Sequence, residues 1–466
     1  MTESWAAFGA DLHIEPLGGG LRSGLTNALR EAVRTGRLAP GTRLPSSRTL
    51  ARDLGIARNT VADAYADLVA EGWLTARQGS GTSVAQRADA AGPRTPRTPS
   101  RQMRRRPVHN LMPGSPDVST FPRAEWLKAS KRALAAAPDQ AFGYDDPQGR
   151  VELRTVLADY LARARGVYAD PGRIVICSGF VHGLALMGKV LRQRGARQAA
   201  VESSGLDIHR NLLTAAGLAT PCLPVDELGA RTGDLRGMRR VGAALLTPAH
   251  QFPTGVPLHP DRRAAAVDWA RSSGGLILED DYDGEFRYDR LPVGALQGLD
   301  PERVVYMGTA SKSLAPALRL AWMVLPEGLV REVCDAKGGP EWMTGSLDQL
   351  TLAEFIASGA YDRHVRAMRL RYRRRRDQLV ETLAERAPDF RVSGIAAGLH
   401  AVLELPPGAE HTVVQAATWQ GLALERLSRF GHPDAEARRD GLVIGYGTPS
   451  DSGWSGALDA LCRVLP

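Results

Sequence analysis

Tyr306-Met-Gly-Thr-Ala-Ser-Lys-Ser-Leu-Ala-Pro-Ala-Leu-Arg319 opens on the apolar run Val304-Val-Tyr-Met307 and carries a lysine, Lys312, with an arginine seven residues further on. The chain has only five lysines (128, 131, 189, 312 and 337) against more than fifty arginines. A lysine kept in so arginine-rich a composition suggests chemistry that a guanidinium cannot supply. A Schiff base to a carbonyl needs a primary amine that can lose its proton. Lys312 is therefore the first candidate for a reactive group.

Working outward, the run before Lys312 is one of several. Arg173-Ile-Val-Ile-Cys177, Ala243-Ala-Leu-Leu-Thr247 and Gly275-Leu-Ile-Leu-Glu279 are also short and apolar on both faces, and helical patterns separate them. Such runs predict a buried, mostly parallel sheet and an α/β fold from residue 109 to the end, 109–466. Residues 86–108 are poor in hydrophobics and rich in Pro and Arg, which predicts an extended, charged linker. Residues 14–85 form a separate, compactly patterned segment.

Charge divides the chain in the same way. Residues 1–110 hold 16 Arg, no Lys and 9 acidic residues, a net +7, while the whole chain of 466 residues is +8. A basic N-terminal quarter on a near-neutral body points to a polyanion partner. No apolar run reaches membrane-spanning length and the N-terminus lacks a signal-peptide pattern, so no membrane partner is expected. The four cysteines, Cys177, Cys222, Cys334 and Cys462, lack metal-ligand or redox spacing. No metal site and a reduced, cytoplasmic protein are the expectation.

In the N-terminal segment, Leu21, Leu25, Leu29 and Val33 repeat at helical spacing before Gly36. Ser46 or Ser47 is positioned to cap a second helix with Leu50 and Leu54 as its core stripe, ended by Gly55. A third helix begins near Asn59 and buries Val61, Ala64, Tyr65 and Leu68. Arg58, Asn59 and Thr60 stand at its exposed N-terminus, where a recognition helix meets the major groove. Trp73 to Val84 reads as a two-stranded wing with Gly79 and Gly81 at its turn.

Leu44-Pro-Ser-Ser-Arg48, Leu54-Gly-Ile-Ala-Arg-Asn-Thr-Val61, Ala64-Tyr65, Glu71-Gly-Trp-Leu74 and Gly79-Ser-Gly-Thr82 together resemble the winged helix-turn-helix of GntR-type regulators. The resemblance implies DNA contacts from Ser46, Arg48, Arg58, Asn59, Thr60, Arg77, Gly79 and Ser80. Ala57 departs from it, standing where a serine often caps the recognition helix; Asn59 is expected to take over part of that role.

The remainder resembles fold type I pyridoxal phosphate (PLP) enzymes of the aspartate aminotransferase class. The matching stretches are Pro113-Gly-Ser-Pro-Asp117, Tyr144-Asp-Asp-Pro-Gln-Gly149, Thr247-Pro-Ala-His-Gln-Phe-Pro-Thr-Gly255, Glu279-Asp-Asp-Tyr-Asp-Gly-Glu-Phe-Arg-Tyr288 and the lysine segment. Both halves together resemble the MocR subgroup of GntR regulators, which includes GabR-like and PdxR-like proteins. This implies PLP on Lys312 as a Schiff base. It also implies Asp280 on the pyridine nitrogen (with Asp281 as the alternative), Tyr282 on the ring oxygen and Arg319 on the phosphate. Thr309, Ser311 and the Gly179-Phe180 turn add further contacts. Three departures stand out: Phe180-Val181-His182 where small or polar residues are usual, Leu206 where an aromatic ring is usual, and Leu442 where aminotransferases place a carboxylate-binding arginine. Arg438 and Arg439 are nearby candidates for that lost role.

The resemblance implies a cytoplasmic, homodimeric transcriptional regulator that binds a double-stranded DNA operator and senses PLP or an amine. Two alternatives stay open: an aminotransferase with a regulatory N-terminal domain, and a DNA-binding protein whose C-terminal domain only dimerises.

Overall fold

The computed structural model describes residues 20–77, 81–86, 107–288, 294–339, 343–435 and 439–465. The chain divides into two compact units, residues 1–104 and 105–466.

The first unit contains helices α1 (Gly20–Arg34), α2 (Ser47–Leu54) and α3 (Arg58–Ala70) and strands β1 (Leu74–Arg77) and β2 (Gly81–Val84). Leu25, Leu29, Leu50, Val61, Leu68 and Leu74 are almost wholly buried in one core. Each contributes about 1.5–3 kcal/mol relative to an exposed position. The stripe on α1 is rotated from the expected one: Leu21 is 57% exposed and Ala32 is buried in its place beside Leu29. Leu54 only half-buries. Arg22 forks onto Asp67 at 2.6 and 2.9 Å, and Arg30 onto Glu71, tying α1 to α3.

Ser46, not Ser47, caps α2, its hydroxyl accepting from the Thr49 N–H at 3.1 Å. Gly55 ends α2 in the left-handed region at φ 67°, which favours glycine. Ala57 holds the extended N-cap conformation of α3 but makes no side-chain capping bond, and Asn59 does not replace it. The wing strands pair antiparallel from Leu74↔Val84 to Arg77↔Gly81. Gly79 and Ser80 lie outside the described residues, as does nearly all of the 86–108 linker.

The second unit is built on a seven-stranded sheet: β3 (Ile174–Cys177), β4 (Gln198–Glu202), β5 (Cys222–Leu223), β6 (Val241–Leu246), β7 (Leu276–Asp281), β8 (Val304–Thr309) and β9 (Ala321–Val324), in spatial order β3-β9-β8-β7-β6-β4-β5. All neighbours are parallel except at β9, which runs antiparallel to both β8 and β3. Fully buried residues along β3, β7 and β8 explain the uninterrupted apolar runs. A smaller antiparallel sheet follows, from β10 (Val392–Ser393), β11 (Ala401–Glu404), β12 (Glu425–Arg426) and β13 (Gly441–Ile444), in order β10-β11-β13-β12. Among the described residues no helix is long and apolar enough to cross a membrane.

Candidate functional site

Open parallel sheets collect ligands beyond the carboxyl ends of their strands. A cavity of about 440 Å³ lies there, lined by Asp280 from the end of β7, Thr309 from the end of β8, Glu202 from the end of β4, and Phe180, Lys312 and Arg319.

The run Glu279-Asp280-Asp281 is buried throughout, and alternation along the strand gives each carboxyl a different surrounding. Glu279 accepts from the N–H groups of Leu296 and Gln297 at 2.7 and 2.9 Å. Asp281 is locked onto Arg165 at 2.7 and 2.9 Å and accepts from the Tyr306 hydroxyl. Asp280 reaches the cavity, and its Oδ1 is buried without a hydrogen-bond partner among the described residues. Burial, reinforced by the neighbouring Asp281 charge, pushes the Asp280 carboxyl well above the usual carboxylate range. Asp281 is therefore a structural ion pair and not the alternative cavity carboxyl that the sequence left open.

Lys312 sits in the turn after β8, its Nζ donating to the Gly114 carbonyl within Pro113-Gly-Ser-Pro-Asp117. Burial lowers its proton affinity, against the opposing pull of Asp280 and Asp283. Thr309 and Ser311 bond each other, Oγ1 to Oγ at 2.9 Å. Arg319 holds φ 53°, unusual for a residue with a Cβ, and donates to the Ser178 carbonyl at 2.6 Å. Gly179 is the N-cap of α6 (Phe180–Gln193) at φ 90°, and a Cβ there would lie 2.4 Å from the Arg319 guanidinium. Glycine is required by both backbone and space. The Tyr282 hydroxyl lies 3.1 Å from His250 Nδ1.

Each expected residue of the second unit, Lys312, Asp280, Tyr282, Arg319, Gly179, Phe180, Thr309 and Ser311, thus lines the cavity or, for Gly179, abuts one that does. Leu206 is also in the lining, at the turn before α7 (Asp207–Ala215). Beside it the Phe180 and His209 rings lie 4.7 Å apart and tilted by 39°, and of this pair the sequence reading missed His209. Burial pushes the His209 imidazole down to about 4, so it is neutral near pH 7. Its place in the first turn of α7, three residues after Leu206, was the available signal.

Glu202 was missed as well. It accepts from the Thr247 hydroxyl and from Gln251 Nε2 at 2.5 and 3.1 Å, and burial pushes it up to about 7. Behind Tyr282, His250 Nδ1 lies 2.9 Å from Asp283 Oδ2, and with His400 these offer three potential ligand atoms within 4.8 Å of one another. That cluster was not singled out from sequence.

The position matched to a carboxylate-binding arginine is closed. Leu442 lies on β13 in register with Leu403, fully buried in the core of the smaller sheet. Arg439 is a surface residue 3.6 Å from Glu227, and Arg438 lies outside the described residues.

In the first unit, Arg48, Arg58, Asn59 and Arg77 are exposed and Thr60 is half-buried. Ser46 is exposed but its hydroxyl is engaged in the α2 cap.

Residues 21–84 match the gntR family of bacterial regulatory proteins and residues 107–437 match aminotransferase class I and II. The chain is 34% identical over 427 residues to the HTH-type pyridoxine biosynthesis transcriptional regulator PdxR of Corynebacterium glutamicum, covering 91% of each chain. It is 32% identical to the probable rhizopine catabolism regulatory protein MocR of Rhizobium meliloti, covering 91% of this chain and 89% of that one. An archaeal alanine:glyoxylate aminotransferase has a similar fold, with TM-score 0.69 at 23% identity over 77% of this chain and 90% of that one.

Proposed function

The chain belongs to the MocR group of GntR-type, DNA-binding transcriptional regulators, whose aminotransferase-like domain has the fold of PLP enzymes, and from that premise we propose that it binds PLP at Lys312 and controls its hold on an operator by sensing PLP or an amine. The observation that carries the reading is the pairing of Lys312 with Asp280 across one cavity. A buried carboxyl oxygen with no partner is costly unless a ligand supplies a donor. A protonated pyridine nitrogen is such a donor, and the Gly179–Arg319 cradle, which has no room for a Cβ, suits a phosphate. The donor set therefore fits the cofactor.

When bound, PLP supplies an electron sink for an amine. The protein's part is to hold and orient. Lys312 is the attachment point, and burial favours its neutral, nucleophilic form. Asp280 fixes the ring nitrogen, Tyr282 the ring oxygen, and Arg319 with Gly179, Phe180, Thr309 and Ser311 the phosphate. Lys312 would hold the group, and a change in what the cavity holds would be the local event that a change in DNA affinity reads out. In the first unit the DNA contacts fall to Ser46, Arg48, Arg58, Asn59, Thr60, Arg77, Gly79 and Ser80, within a reader of residues 14–85.

Homodimerisation is part of the proposal. Leu127, Leu134, Phe142 and Tyr144 are large apolar side chains 55% or more exposed, on α4 (Arg123–Ala136) and the segment after it. Cys177, Cys334 and Cys462 form no disulfide among the described residues, in keeping with a reducing, cytoplasmic setting. Titration of purified protein with PLP tests the core of the reading. A visible absorption band is expected in the wild type and not in Lys312→Ala. Identical spectra would overturn the assignment of Lys312.

A further inference from the structure

The second unit is almost neutral as a whole, yet α11 (Ala360–Arg386) carries eight arginines and no acid between Arg363 and Arg376. The helix sorts them. Tyr361, Val365, Met368, Tyr372 and Leu379 form its buried stripe. Two of the arginines turn inward: Arg371 and Arg375 are held by Asp117 and Asp451 at 2.5 to 3.3 Å. Arg376 is half-buried, and the five others, Arg363, Arg366, Arg369, Arg373 and Arg374, are exposed. At 100° per residue they fall on one outward arc, which from Arg363 to Arg374 extends about 16 Å.

Almost nothing neutralises this arc. Arg366 has no hydrogen bond or ion pair among the described residues. Arg363, Arg369 and Arg374 donate only to backbone carbonyls, of Ser358, Glu285 and Leu370. Arg373 has one carboxylate neighbour, Asp377, at 3.9 Å on an exposed pair. Flanking Asp362 is taken by Arg163 at 2.8 Å. Structural pairing accounts for Arg371 and Arg375 and leaves the outward five unexplained. A row of guanidiniums on a rigid helix is complementary in charge to a duplex, which carries one negative charge per about 1.7 Å of axis.

We infer that the outward face of α11 is a second DNA-contact surface, one that grips duplex phosphates without reading sequence. The inference rests on the proposal that this protein binds DNA through its winged helix, and it adds a backbone contact on the aminotransferase-like unit. It follows that DNA affinity and its salt dependence are set by both units of the chain.

The test uses the full chain and a mixed-sequence 60-base-pair duplex. Affinity is measured between 50 and 300 mM KCl for the wild type, for the triple variant Arg366→Gln, Arg373→Gln, Arg374→Gln, and for Arg58→Ala. Three lost phosphate contacts should reduce the slope of log K against log salt by about two to three units and weaken binding at least roughly tenfold at low salt. Sedimentation and the PLP absorption band control for assembly and folding. An unchanged slope in a triple variant with wild-type sedimentation would overturn the inference and leave the winged-helix reading standing. Failure of the wild type to bind the duplex at all would count against the DNA reading itself.

Discussion

Asp280 and Asp281 are adjacent on β7 yet do opposite things: one carries into the cavity an oxygen with no partner among the described residues, and the other is forked onto Arg165 at 2.7 and 2.9 Å. Alternation in a strand whose two faces are both buried is enough to separate them.

The two substitutions should therefore separate as well. Asp280→Asn is expected to leave folding intact and to weaken PLP binding, read as a right-shifted titration of the absorption band. Asp281→Ala removes the forked carboxylate from Arg165, a buried guanidinium, and is expected to cost about 3–5 kcal/mol in urea unfolding. Equal loss of stability in both would contradict the division of roles.

Gly179→Ala puts a methyl group into the Arg319 guanidinium at a backbone φ of 90°. PLP affinity should fall by roughly tenfold or more, equivalent to about 1.4 kcal/mol. DNA affinity for a mixed-sequence duplex should stay as it was. A titration matching the wild type would remove Gly179 and Arg319 from the phosphate site.

Ala57 leaves the recognition helix without a side-chain cap. Ala57→Ser supplies an acceptor in an N-cap conformation that is already extended, and should stabilise the first unit by about 1 kcal/mol. The readout is the melting transition of that unit. No gain would mean that the serine hydroxyl does not reach the free N–H groups of α3.

Glu202 is pushed up to about 7 from an ordinary 4.5, so the folded state binds its proton more tightly than the unfolded one. Its contribution is fully present below about pH 4.5 and is lost as pH rises through 7. Unfolding free energy compared between wild type and Glu202→Gln should show a difference that shifts in favour of Gln across that window. A difference independent of pH would show that Glu202 titrates normally.

Arg58 is exposed at the start of α3. Arg58→Ala should weaken DNA binding with no change in sedimentation or in the PLP spectrum. If Arg58 meets only a phosphate, the salt slope should fall by about one unit for every sequence tested.

Much of this was legible from residues alone because it is local. Doubly apolar runs gave β3, β6, β7 and β8 of the seven-stranded sheet, and Ser46, Gly55 and the Val61-Ala64-Tyr65-Leu68 stripe gave the recognition region. The choice between Asp280 and Asp281 was not local: it depended on Arg165, more than a hundred residues away. Leu21 was misplaced for the same reason, since a helical stripe fixes a face but not what covers it. His209 and Glu202 lacked a motif, and only the assembled cavity brings them together.

Leu442 has a longer consequence. Placing an arginine at this position would force a guanidinium into the packed core beside Leu403. Burying an unpaired charge is prohibitive. A single Leu442→Arg substitution therefore would not equip this unit to hold a substrate carboxylate, because the smaller sheet has no space for the side chain and no partner for its charge among the described residues.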